Sequence, residues 1–116
     1  MEFAVSREGT TLVTLHEGTD TTACNAAAAE LTANLESLAA EGTIANWAID
    51  DATVYEHPTA PFDPYTIAVA FTVTVVVDAD DPAAATEIGA SAIDDALERA
   101  DVDAVSYTSS PAASAP

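Results

Sequence analysis

The sequence predicts an α+β domain of order β-α-β-β-α-β. Three observations carry that expectation: a long alternating strand at Tyr65–Val77, two Ala-rich stretches with helical spacing of apolar residues, and strict strand–helix–strand order in each half of the chain. With 116 residues the chain is large enough to bury roughly two-thirds of its unfolded surface in one core, so stability requires neither a metal nor a disulfide.

TLVTLHE (Thr11–Glu17) alternates as a strand, with Leu12, Thr14 and His16 on one face and Val13 and Leu15 on the other. The preceding EFAVS reads as a strand paired with it through a REGT turn; residues 1–9 are thus an extra strand or an arm that adds to a neighbour. Asp20, Thr21 and Thr22 are candidate N-caps. Ala27, Leu31, Leu35 and Leu38 then form one helical stripe, which Gly42 ends. A second strand region runs from Ile44 to Glu56, with Trp47 and Ile49 on one side and Asp50 and Asp51 marking a bulge. HPTAPFDP, with three prolines that lack a backbone donor, is a loop.

The third strand is the clearest element. Tyr65, Ile67, Val69, Phe71, Val73, Val75 and Val77 share its core face, while Thr66, Ala68, Ala70, Thr72, Thr74 and Val76 share the other. A second helix from Pro82 to about Ala100 follows, with Ala85, Ile88, Gly89, Ala92, Ile93, Ala96 and Leu97 facing inward. Gly89 costs about 1 kcal/mol of helix propensity, a loss offset if it lets the helix lie close to the sheet. Val102–Thr108 makes a last strand, so residues 1–108 form the domain and residues 109–116 a flexible Ser/Ala/Pro tail. The element order is that of ferredoxin-like domains, two helices on one face of an antiparallel sheet. Using EFAVS as a fifth strand is the alternative topology.

Twenty acids against two arginines, with no lysine, leave a net charge of −18. Clustered cations are what phosphate backbones require, so direct nucleic-acid binding is not expected. The start lacks a basic segment followed by an apolar run, and no apolar stretch is long enough to span a bilayer, so no membrane role is expected. Half the residues are apolar and periodic, which argues against disorder. The self-repulsion is relieved by concentrated salt, whose Debye length falls to about 3 Å at 1 M. The composition resembles that of proteins from haloarchaea and their viruses, which implies a high-salt environment, cytoplasmic or virion, with solvent cations around the surface.

The chemistry-bearing candidates are few. VVVDADDP is similar, from Val75 to Asp80, to the nucleophile strand of haloacid-dehalogenase-type phosphotransferases, but that family needs a lysine and this chain has none. An EF-hand loop needs a central glycine that DADDPAAATE lacks. A simpler account makes Asp78 a strand stop, Asp81 an N-cap and Pro82 the first helical residue. His16 and His57 fall at one end of the sheet with Glu17 and Glu56 beside them, a His/Glu cluster without HxH or HxxxH spacing. Cys24, among alanines, reads as a small buried helix residue rather than a reactive thiol. Trp47, Tyr55, Phe62, Tyr65 and Tyr107 read as core or interface aromatics.

The expectation is therefore a non-enzymatic module with no catalytic residue, no metal ligand and no cofactor, meeting protein partners or further copies of itself through an edge strand or the open face carrying Thr66, Ala68, Ala70, Thr72 and Thr74. The segment Thr66–Tyr107 resembles small accessory structural proteins of tailed viruses, haloarchaeal ones included, which implies a head or tail component. The alternative is a small-molecule-binding regulatory domain acting as a dimer.

Overall fold

The computed structural model describes residues 1–16, 18–60, 63–102 and 104–114. The elements are β1 (Glu2–Leu15), α1 (Asp20–Ala40), β2 (Asn46–Glu56), β3 (Tyr65–Asp78), α2 (Pro82–Arg99), β4 (Ser106–Tyr107) and β5 (Ala112–Ser114). One antiparallel sheet has the order β2-β3-β1-β4, with β5 also pairing with β1. The architecture is thus mixed α+β, with both helices against one antiparallel sheet.

β1 is a single 14-residue strand, not a hairpin. It pairs with β3 without interruption, from Glu2 opposite Asp78 to Leu15 opposite Tyr65. The expected turn at REGT does not form because Gly9 makes space instead. A Cβ there would lie 3.1 Å from the Phe71 ring and 3.4 Å from the Tyr107 ring. Phe71 and Tyr107 are its partners on the two flanking strands, and their rings cover the gap that the missing side chain leaves.

β3 buries Ile67, Val69, Phe71, Val73, Val75 and Val77, the face that its alternation predicts. α1 adds Ala23, Ala27, Leu31, Leu35 and Leu38, and α2 adds Ala85, Gly89, Ile93, Ala96 and Leu97. α1 lies over β2 and β3, and α2 over β1 and β3. Ile88, expected on the inner stripe, is instead 47% exposed. Gly89 sits where α2 crosses β1, and a Cβ there would lie inside van der Waals contact of the Val5 side chain. The helix is therefore as close to the strand as a bare backbone allows.

The helix ends follow local hydrogen-bond chemistry. Thr19, one residue ahead of the expected caps, accepts from the Thr22 amide at 3.1 Å. Asp81 accepts from the Ala84 amide at 2.8 Å, and Pro82 opens α2. Both helices close with paired Schellman bonds. In α1 these run from Thr43 to Leu38 and from Gly42, at φ 79°, to Ala39; in α2 they run from Val102 to Leu97 and from Asp101, at φ 58°, to Glu98. Val102 is consequently consumed by the helix cap, so the last strand contracts to Ser106–Tyr107.

β2 breaks register between Ile49 and Asp51, at the expected bulge, and again between Val54 and Glu56. The tail departs most from expectation. Ala112–Ser114 runs as β5 along β1, and Ala113 packs against the core, because the outer edge of so long a strand offers free backbone groups. Among the described residues, no helix is long and apolar enough to cross a membrane.

Candidate interaction surface

The uninterrupted β1–β3 register fixes the composition of the sheet face opposite the helices. Thr74 lies between Ser6 and Asn46, Thr72 between Glu8 and Ala48, Ala70 between Thr10 and Asp51, and Ala68 between Leu12 and Thr53. Thr66 closes the series between Thr14 and Glu56. The five predicted β3 residues therefore form the spine of a face three strands wide. Each is half-buried, and no described helix or strand packs over it.

Hydrogen bonds tie this face laterally. The Ser6 and Thr74 hydroxyls are 2.7 Å apart, and the Thr72 hydroxyl donates to Asp50 Oδ2 at 2.7 Å. These bonds hold Ser6, Thr74, Thr72 and Asp50 in place, so those side chains have little rotamer entropy to lose on contact. Val76, 48% exposed, extends the face beside Ala4. The contributions of β1 and β2 were hidden in the sequence because the expected REGT turn broke the parity of Ala4, Ser6, Glu8 and Thr10.

The other candidates sort by place. Asp78 accepts a hydrogen bond from the Met1 ammonium at 2.7 Å, and that bond lowers its pKa. His16 and His57 both lie where β3 begins, since Leu15 faces Tyr65 and Glu56 faces Thr66. His57 Nε2 lies 3.2 Å from Asp20 Oδ2 on α1, and its ring stands edge-on to Tyr65 at 6.2 Å. Tyr65 in turn has its pKa raised, chiefly by a hydrogen bond to Asp20. Asp20 thus joins the ends of three elements. Glu17 and Phe62 lie outside the described residues, among which no three His, Cys, Asp or Glu come together as a metal-binding group. Cys24 is a half-buried free thiol on α1.

A second cluster, unforeseen in the sequence, fastens the C-terminal segment. The Arg7 guanidinium stacks 3.8 Å from the Tyr107 ring centroid, and its Nε donates to the Ser109 carbonyl at 3.2 Å. The Tyr107 hydroxyl donates to Asp94 Oδ1 on α2 at 2.6 Å, and the Glu8 amide donates to Ser109 Oγ at 2.9 Å. Burial, reinforced by the Asp94 bond and charge, pushes the Tyr107 phenol well above its ordinary value.

No family model, no curated protein and no solved structure matches this chain.

Proposed function

We propose that the protein is a structural or assembly module that meets other proteins, copies of itself included, through its open sheet face. The observation that carries this reading is the row Thr66, Ala68, Ala70, Thr72, Thr74, half-buried without a covering element and flanked by Ser6, Thr10 and Thr14 of β1 and Ala48 and Thr53 of β2, with Glu8, Leu12, Asp51 and Glu56 between them. A β surface whose spine is Thr and Ala suits sheet-on-sheet or sheet-on-helix packing, because short spine residues let a partner approach the backbone closely. The finer fold proposed is ferredoxin-like: the order β2-β3-β1-β4, with a helix following β1 and another following β3, supports it.

A high-salt setting belongs to the same proposal. At −18, like copies repel one another unless counterions screen them, so association through this face is favoured where salt is concentrated. A virion component of a halophilic virus is the specific form we favour, the halophilic part of it supported by the acidic composition without lysine. Size-exclusion chromatography with light scattering in 2 M KCl tests the reading. Oligomers, or co-elution with a virion protein, are expected; a strict monomer that captures neither overturns it.

A further inference from the structure

We infer that the outer edge of β1 from Leu12 to Leu15 receives an extended, basic segment of a partner protein as an added strand. The inference rests on the reading of the protein as an interaction module and names a second surface and the chemistry of its occupant.

The backbone orientation follows from two bonds. Glu8 offers both its carbonyl, to the Thr108 amide at 2.9 Å, and its amide, to Ser109 Oγ, on the side of β1 away from β3. β1 pairs with β3 without a bulge, so Leu12 and Thr14, in the same alternation, direct their amides and carbonyls to that same side. β5 pairs along Ala4–Ser6 and β4 along Gly9–Thr10, and among the described residues no strand pairs with Leu12–Leu15 there. The opposite edge of the sheet, on β2, carries two register breaks and Asp50, Asp51 and Glu56, devices that discourage strand addition. The β1 edge carries no bulge.

Beside that edge lies a groove of about 320 Å³, walled by Glu30, Leu31 and Asn34 of α1 and by Asp101 and Val102 after α2. Its exposed lining is mostly polar, with Leu31 and Val102 nearly buried beneath it; Glu30 and Asp101 are its charged groups and no cation lines it. Charge complementarity therefore selects the occupant. An incoming strand would turn every second residue into the groove, where Lys or Arg lays its aliphatic stem over Leu31 and Val102 and reaches Glu30 and Asp101 with its charge, while the residues between face the open side and the backbone gains hydrogen bonds from Leu12 and Thr14.

The probe is a capped peptide of alternating Val and Lys, titrated into the ¹⁵N-labelled full chain in 0.5 M KCl beside a peptide with Glu in place of Lys. Shift changes concentrated at Leu12–Leu15, Glu30, Asn34 and Asp101, slowed exchange of the Leu12 and Thr14 amides, and no response to the Glu peptide are expected. Thr14→Pro, which removes one outward donor and leaves the β3 ladder intact, should weaken the Lys peptide at least tenfold. If that variant does not fold, Glu30→Gln with Asp101→Asn serves instead, with the same expected loss. Shifts spread over the whole acidic surface, equal binding of both peptides, no binding, or unaltered affinity in these variants would overturn the inference. Ala70→Arg, on the open face, separates the two surfaces. Self-association sensitive to Ala70→Arg without peptide binding removes this inference alone, whereas peptide binding in a chain that never assembles removes the open-face reading alone.

Discussion

Gly89 and Val5 set the distance between α2 and the sheet. Gly89→Ala gains about 1 kcal/mol of helix propensity but forces a methyl group into Val5, and overpacking of that kind costs about 1–3 kcal/mol. We expect net destabilisation of up to about 2 kcal/mol in denaturant unfolding, and adding Val5→Ala should not relieve it, because the Val5 Cβ, which alanine keeps, is the atom nearest the new methyl group. Tyr107 provides a pH-dependent test. Its phenol holds its proton more tightly in the fold than in the unfolded chain, where tyrosine ionises near 10. Its contribution is therefore complete below pH 10 and is lost as pH rises above that value. Thermal unfolding from pH 8 to 11 should show a decline on the alkaline side that is shallower in Tyr107→Phe. That variant should also lose about 1 kcal/mol at pH 8, the Tyr107 hydroxyl bond to Asp94. Equal slopes in the two proteins would remove Tyr107 from the account.

Among the elements, β3, both helices and the first β2 bulge were legible because each rests on a local rule: period-two alternation, a helical apolar stripe, a capping aspartate before proline, an acidic pair that breaks a strand. What was not legible depends on distant partners. Gly9 looks like a turn residue until Phe71 and Tyr107 lie on either side of it, and the tail looks structureless until β1 offers it an edge. Of the candidate surface, the β3 spine was readable from alternation alone, whereas its Ser6 and Asp50 ties required the sheet register. The strap formed by β4 and β5 makes a clear expectation. Deleting the chain after Thr108 should leave α1, β2 and β3 protected from hydrogen exchange while the Ala4, Ser6 and Glu8 amides exchange faster, because β5 and Ser109 are their partners. Unchanged protection at those amides would contradict the strap.

At the scale of the whole molecule, the dominant quantity is the charge of −18. Acids occur on both helices, at the β2 bulge and at strand ends, and the described ion pairs engage only Asp78 and Asp20. Their mutual repulsion should make stability climb steeply with KCl up to about 1 M, where the Debye length reaches about 3 Å, and flatten beyond it. A salt-independent melting temperature would be inconsistent with this account. The same screening governs assembly, since two open faces can approach only when the acids at their margins, Glu8, Asp51 and Glu56, are shielded. The most direct test of the open face as the meeting surface compares the native chain with Ala70→Arg by light scattering across protein concentration in 2 M KCl. The substitution lowers the net negative charge, so lost association cannot be assigned to added repulsion. Concentration-dependent oligomers are expected for the native chain and a monomer of unaltered melting temperature for Ala70→Arg; association of equal strength in both would exclude the open face as the meeting surface.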